Sequence, residues 1–317
     1  MKLTGLIAAP LTPCNADYSL NTAVVAKQAW HLADTGVKGV FVGGTTGECH
    51  SYSTAERIEL FKAWGSEAKA NGLVNIAHVG HNNLPDAQAL VEAAQASEAE
   101  AIGAMAPSFF KPASVDELID WFALITKAAP ELPFYFYDIP SMTGVNLDTV
   151  DFLRKGRERI PSLVGVKFTN PDQNLLKKCM QVEDGFFDIL FGTDEKLIEG
   201  LEIGCRGAVG SSYNFAAKIY HPILKAYEQG DLETANLWQD RSIQTIDTIA
   251  AHGYLPAAKA VMDMLGVACG PARPPLVNLS ETAKASLKYV LEEIGFFDWV
   301  SCLEKITPAN RRQLPGF

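Results

Sequence analysis

Eight short apolar runs alternate with eight stretches of helical periodicity across the first 229 residues, and this alternation predicts an α/β fold, a closed (β/α)8 TIM barrel with a C-terminal helical extension. The runs read as continuous apolar segments, as strands of a covered parallel sheet do. The first run ends in Leu11-Thr12-Pro13-Cys14 rather than in a glycine-rich GxGxxG turn. An open doubly wound sheet that binds a dinucleotide therefore has no support.

The first strand is predicted over 5–12. Only Lys2 supplies positive charge near it, and Pro10, Thr12 and Pro13 break the apolar run, so Leu6 to Cys14 is read as a strand and not as a lipidated leader. A helix over 20–35 follows. The second strand, 38–44, runs into Gly43-Gly44-Thr45-Thr46-Gly47-Glu48 ahead of a helix over 53–70. Strands over 74–80 and 101–106 precede helices over 84–98 and 114–129. The fifth strand, 133–138, ends in Phe136-Tyr137-Asp138 and leads to a helix over 147–157. Strands over 163–169, 187–192 and 207–211 then alternate with helices over 172–183, 194–203 and 215–229. Beyond 230 the strand signals stop. Helices are predicted over 231–251, 256–266 and 280–295, with Asp231 and Ser280 as caps and Ala283 in place of a capping-box acid. Gly270-Pro271-Ala272-Arg273-Pro274-Pro275 is a rigid connector. The expected division is a barrel over 1–229 and a helical extension over 230–317, packed on the barrel or on a neighbouring subunit.

Composition narrows the function. A net charge of −10 makes nucleic acid an improbable partner, because phosphate binding needs a basic surface. No basic amphipathic stretch suits a membrane surface, and no run approaches the roughly 18 apolar residues of a membrane span. Six scattered cysteines without a CxxC pair fit small core residues in a reducing cytoplasm.

In a barrel of this kind chemistry lies at the C-terminal ends of the strands. Lys167 stands out there. It interrupts the apolar run Ile160-Pro161-Ser162-Leu163-Val164-Gly165-Val166-Lys167-Phe168-Thr169, and because side chains alternate along a strand, Leu163, Gly165, Lys167 and Thr169 are expected to share one face. A buried ammonium is costly unless it is paired or loses its proton, and desolvation lowers a lysine from about 10.4 toward neutrality. The product is an amine nucleophile of the kind that forms Schiff bases. The plainer alternative is a strand-end lysine that snorkels outward or meets a carboxylate.

The glycines of Gly43–Glu48 allow backbone N–H groups to converge on an anion, and Thr45 and Thr46 add hydroxyl donors. Without a lysine or arginine in the loop, this suits a small carboxylate better than a phosphate. The alternative is a tight turn whose threonines cap the next helix. Tyr137 is either a core ring or, beside a Schiff-base lysine, a general acid/base. Asp194 and Glu195 fall in the first turn of a helix, where they either favour its dipole or bind sugar hydroxyls. His50, His78 and His81 match no known metal-ligand spacing, so no metal and no cofactor is expected.

The ordered set Gly43-Gly44-Thr45-Thr46-Gly47-Glu48, Tyr137-Asp138-Ile139-Pro140, Gly165-Val166-Lys167 and Gly207-Ala208-Val209-Gly210-Ser211 resembles the class I pyruvate aldolase family that contains sialic acid lyases and dihydrodipicolinate synthases. The resemblance covers about Leu3 to Arg273. It implies that Lys167 forms the Schiff base, that Thr45 and Thr46 hold the pyruvyl carboxylate, and that Tyr137 carries the proton. The synthase branch places an arginine where this chain has Met142, and a tyrosine from across its dimer in a segment that reads Pro107-Ser108-Phe109-Phe110-Lys111 here. A methionine cannot hold a carboxylate. Tyr137 to Val145 and Gly192-Thr193-Asp194-Glu195 resemble the lyase branch instead. That likeness implies that Thr169, Gly192, Asp194, Glu195, Gly210 and Ser211 contact the hydroxyls of a sugar-acid chain. It further implies a small 2-oxo acid substrate (pyruvate, sialic acid), cleavage of sialic acid to N-acetylmannosamine and pyruvate, and a homotetramer. Dihydrodipicolinate synthesis, or aldol or dehydratase chemistry on another 2-keto-3-deoxy sugar acid, is the alternative within the family. A pyruvate-responsive binding protein without turnover is the alternative outside enzymology.

Overall fold

The computed structural model describes residues 2–301. The end of the predicted extension, 302–317, with Cys302, lies outside the described residues. Eight parallel strands close into a barrel: β1 (Gly5–Ala8), β2 (Gly39–Val42), β3 (Val74–His78), β4 (Ala101–Met105), β5 (Phe134–Asp138), β6 (Leu163–Phe168), β7 (Asp188–Phe191) and β8 (Gly207–Gly210). Closure is made by β1, which pairs with both β2 and β8. Every strand falls inside its predicted run. Except at β5, the runs overshoot at the C-terminal ends because those residues leave the ladder and enter the loops.

The helices of the barrel are α1 (Val25–Asp34), α2 (Thr54–Ala70), α3 (Leu84–Ala96), α4 (Val115–Thr126), α5 (Pro140–Thr143), α6 (Thr149–Arg159), α7 (Gln173–Cys179), α8 (Leu197–Ile203) and α9 (Tyr213–Glu228). They are followed by α10 (Leu232–Ala250), α11 (Tyr254–Met264), α12 (Glu281–Glu293) and α13 (Phe296–Val300). Local chemistry explains several boundaries. Ser53 and Glu56 form a reciprocal capping box at α2. Asp231 accepts from the Thr234 N–H at α10, and Ser280 from the Ala283 N–H at α12. Asp194 and Glu195 occupy a 3-10 turn, Asp194–Lys196, ahead of α8 and not its first α-helical turn. The one-turn α5 lies where no helix is predicted.

Alternation along the strands builds two apolar clusters. Outward residues such as Val40, Val42, Ile102, Phe134, Phe136, Val166 and Phe168 pack under the helices. Inward residues, including Ile7, Phe41, Ile76, Met105, Tyr135, Tyr137 and Leu190, fill the barrel. The interior is shared between large side chains and glycines. A Cβ on Gly103 would stand 2.7 Å from the Phe41 ring, and one on Gly207 would stand 2.7 Å from Leu190. A Cβ on Gly165 would collide with the Asp188 carbonyl and crowd the Tyr135 ring.

One predicted face is corrected. Leu163 packs in the outer cluster, not on the face of Gly165 and Lys167. Phe134 pairs with Leu163 and Tyr135 with Gly165, so Val164 is an extra residue in β6. A bulge of this kind reverses the alternation, and sequence periodicity cannot register it. It is the bulge that turns Lys167 inward beside Tyr137, its partner across the strands.

Gly165→Ala should therefore be severely destabilising, by more than about 3 kcal/mol, because the added methyl meets backbone on one side and a buried ring on the other. Chemical denaturation checks this; a midpoint close to that of the parent chain would contradict the packing described.

Candidate active site

Lys167 is buried on β6 with its Nζ 3.9 Å from the centre of the Tyr137 ring and 4.3 Å from that of Phe41. The ring faces favour a cation, but loss of water outweighs them. Burial pushes the amine down to about 7, against the opposing pull of Asp194 and Cys49. A large fraction of the amine is therefore unprotonated near neutral pH, and the unprotonated amine is the nucleophilic form. The Tyr137 hydroxyl lies 3.3 Å from Thr45 Oγ1. Burial raises this phenol, and the contact from Thr45 partly counters the effect.

The loop after β2 is held from beneath and from the side. Gly43 adopts φ +67°, which lets the chain turn sharply out of the strand. Its carbonyl faces His78 Nδ1 at 3.0 Å, and Arg57 donates to the His78 and Gly80 carbonyls. Burial, then the Arg57 charge, push His78 well below its usual range, so the ring is neutral and acts as a prop. Thr45 and Thr46 are half-buried above this prop. Glu48 ends the loop at φ +55°, a conformation that costs a non-glycine residue about 1–2 kcal/mol. Its carboxylate meets Lys259 of α11 at 2.7 Å with both side chains buried, and it accepts from the Arg273 N–H at 2.8 Å. Lys259 also donates to the Pro271 carbonyl at 2.9 Å. The C-terminal helices thus anchor the Thr45–Thr46 turn through a buried ion pair.

The opposite wall comes from β6, β7 and β8. Thr169 Oγ1 is buried without a hydrogen-bond partner. Gly192 lies so close to it that any side chain there would collide with that hydroxyl. Asp194 is buried and accepts from both the backbone N–H (2.8 Å) and the hydroxyl (2.5 Å) of Ser212. Glu195 is half-buried beside it, and burial together with the Asp194 charge raises its carboxyl. Gly210 leaves room for Asp194 and the Tyr213 ring, each 2.8 Å from where a Cβ would stand. Ser211 Oγ lies 2.7 Å from the Tyr254 hydroxyl. Met142 stands 60% exposed in the segment after β5.

The model of the dihydrodipicolinate synthetase family matches residues 2–294. The chain belongs to that family. N-acetylneuraminate lyase of Gallus gallus is 39% identical over 301 residues, covering 94% of this chain and 98% of the relative. The structure of Proteus mirabilis N-acetylneuraminate lyase superposes with a TM-score of 0.90 at 36% identity, over 93% of this chain and 100% of that one. N-acetylneuraminate lyase from Aliivibrio salmonicida gives 0.90 at 37% identity, over 93% and 98%.

Within this family member the strand ends bring Lys167, Tyr137 and Thr45 into contact, and set Asp194, Glu195, Gly210 and Ser211 together on the far wall. Several contributors are absent from the sequence reading. Phe41 underlies Lys167, a position that inward alternation along β2 does foreshadow. Arg57, Tyr220 and Tyr254 carry no local signal, since each acts from a helix that only the closed barrel brings to the strand ends. Cys49 lies among the inward residues near Lys167, where burial raises its thiol.

Two outcomes follow. Covalent capture of a 2-oxo acid by Lys167 should rise with pH along a limb centred on about 7, since the neutral amine accumulates as pH climbs through the lowered value. A limb near the ordinary lysine range would contradict the burial, and rate against pH with borohydride quenching measures it. Lys259→Met should destabilise the chain by about 3–5 kcal/mol, because it strands a buried Glu48 charge. The double variant Glu48→Gln/Lys259→Met should recover much of that loss in the same denaturation assay.

Proposed function

We propose that this chain is a Schiff-base carbon–carbon lyase that cleaves N-acetylneuraminate reversibly to N-acetylmannosamine and pyruvate. The observation that carries the chemistry is the Lys167 amine, brought to about 7 by burial and seated against Tyr137. Similarity to N-acetylneuraminate lyases over nearly the full length supports the substrate.

Neutral Lys167 attacks the C2 ketone of the open-chain acid, and water leaves to give an iminium. The Thr45–Thr46 turn holds the carboxylate. Tyr137 gives its proton to the carbinolamine hydroxyl that departs as water, and the iminium charge beside it favours the phenolate that burial alone resists. The proton of the C4 hydroxyl passes to Tyr137, through the substrate carboxylate. The electrons of the C3–C4 bond move into the iminium, so N-acetylmannosamine leaves as the aldehyde and a pyruvate enamine remains. Protonation at C3 and hydrolysis release pyruvate and restore the amine. Thr169, Asp194, Glu195 and Ser211 supply donors and acceptors to the hydroxyls of the tail, while Gly192 and Gly210 keep that wall open. Met142 tolerates an uncharged tail.

One observation favours the synthase reading: the Lys111 side chain packs against Gly144, two residues beyond Met142. Lys111 is exposed and makes no ion pair among the described residues, so the neutral-tail reading stands ahead of it. We also place the enzyme in a reducing cytoplasm, supported by five free buried cysteines, as a homotetramer, supported by the exposed Phe109 and Phe110 rings. Among the described residues no helix is long and apolar enough to cross a membrane.

A substrate panel read by pyruvate release tests the reading. Release from N-acetylneuraminate is expected; consumption of pyruvate with aspartate semialdehyde would favour synthesis, and binding without conversion a sensor. Borohydride with pyruvate should label Lys167, and Lys167→Ala should abolish both label and turnover. Tyr137→Phe should lower turnover by about 10²- to 10⁴-fold while the label still forms. Equal loss of both would make Tyr137 structural.

A further inference from the structure

Two consecutive serines at the end of β8 are each met by a tyrosine hydroxyl. Ser212 Oγ lies 2.6 Å from the Tyr220 hydroxyl of α9 and gives its own proton to Asp194. Its bonds are closed inside the protein, and its effect is to aim Asp194. Ser211 Oγ lies 2.7 Å from the Tyr254 hydroxyl and has no carboxylate to serve. Tyr254 is the first residue of α11, the helix whose Lys259 holds Glu48. Five residues span about 7.5 Å of helix, so α11 reaches both the carboxylate seat and the tail wall. The phenol is kept protonated by burial and by the charge of Asp194.

We propose that Tyr254 is a positioning residue that makes Ser211 a hydrogen-bond donor toward the distal hydroxyls of the substrate, so that the C-terminal helices select for a long polyol tail. A serine hydroxyl has one proton and two lone pairs. When Tyr254 donates to Ser211, the serine proton is free to point at a ligand oxygen. Asp194 and Glu195 only accept when ionised. The wall then offers both halves of the exchange that a chain of hydroxyls requires. This inference rests on the lyase reading above, and it adds a residue outside the strand ends to the tail subsite.

The test is a comparison of N-acetylneuraminate with a short-chain 2-oxo-3-deoxy acid that lacks the distal hydroxyls, in the full chain and in Tyr254→Phe, Ser211→Ala and the double variant. Tyr254→Phe retains the ring and its packing. KM for N-acetylneuraminate should rise about three- to tenfold, the worth of one neutral hydrogen bond, with kcat little changed. KM for the short acid and pyruvate labelling of Lys167 should stay at the parent values. The double variant should lose no more than Ser211→Ala alone, as coupled partners do. If the parent prefers the long acid and Tyr254→Phe keeps that preference, the inference is overturned and the lyase reading survives. If the parent shows no preference for the long acid, both are overturned. Equal losses on long and short acids would make Tyr254 a structural residue and overturn the inference.

Discussion

Space inside the barrel is the constraint on which the site depends. Eight strands close around an interior too narrow for a large side chain at every inward position, so bulky residues on some strands face glycines on others. Phe41 lies over Gly103, Tyr135 over Gly165 and Leu190 over Gly207. This packing leaves the Lys167 amine between the Phe41 and Tyr137 rings, with almost no water to hydrate a charge. The lowered basicity of the lysine is thus a consequence of how the barrel is filled. The same rings that desolvate the amine also fix its direction.

The second theme is support from outside the barrel. A short turn at a strand end needs its backbone held still, and here one end of the Thr45–Thr46 turn is a left-handed Glu48. The buried pair with Lys259 offsets the strain and the desolvation of the carboxylate together. A lone buried charge would destabilise the loop, so neither partner is tolerated without the other. Arg273 extends the same arrangement, donating to the Ser51 and Tyr18 carbonyls and pairing with Glu56. The helices after residue 230 are therefore coupled to the geometry of the strand-end loops.

Much of the fold was legible because covered parallel strands and amphipathic helices have distinct periods. All eight strands and the principal helices lie where periodicity predicts them. Short 3-10 turns, the one-turn α5 and the bulge at Val164 were not legible, since each departs from a period for only one to four residues. The placement of Leu163 failed for that reason. In the site, Lys167, Tyr137 and Thr45 were legible as polar residues at apolar strand ends. Their supports were not: Arg57, Lys259 and Tyr254 look like ordinary helix residues until the chain closes.

The sequence by itself determined the eight-fold alternation, the family, and a lysine interrupting an apolar strand. These are local patterns, carried by neighbours along the chain. Only the tertiary structure decided that Lys167 points inward, that two rings strip it of water, and that Glu48 and Ser211 are held by one helix. Those outcomes depend on contacts between residues far apart in sequence, such as Glu48 with Lys259 and Ser211 with Tyr254, and their energies arise from burial that no single segment possesses.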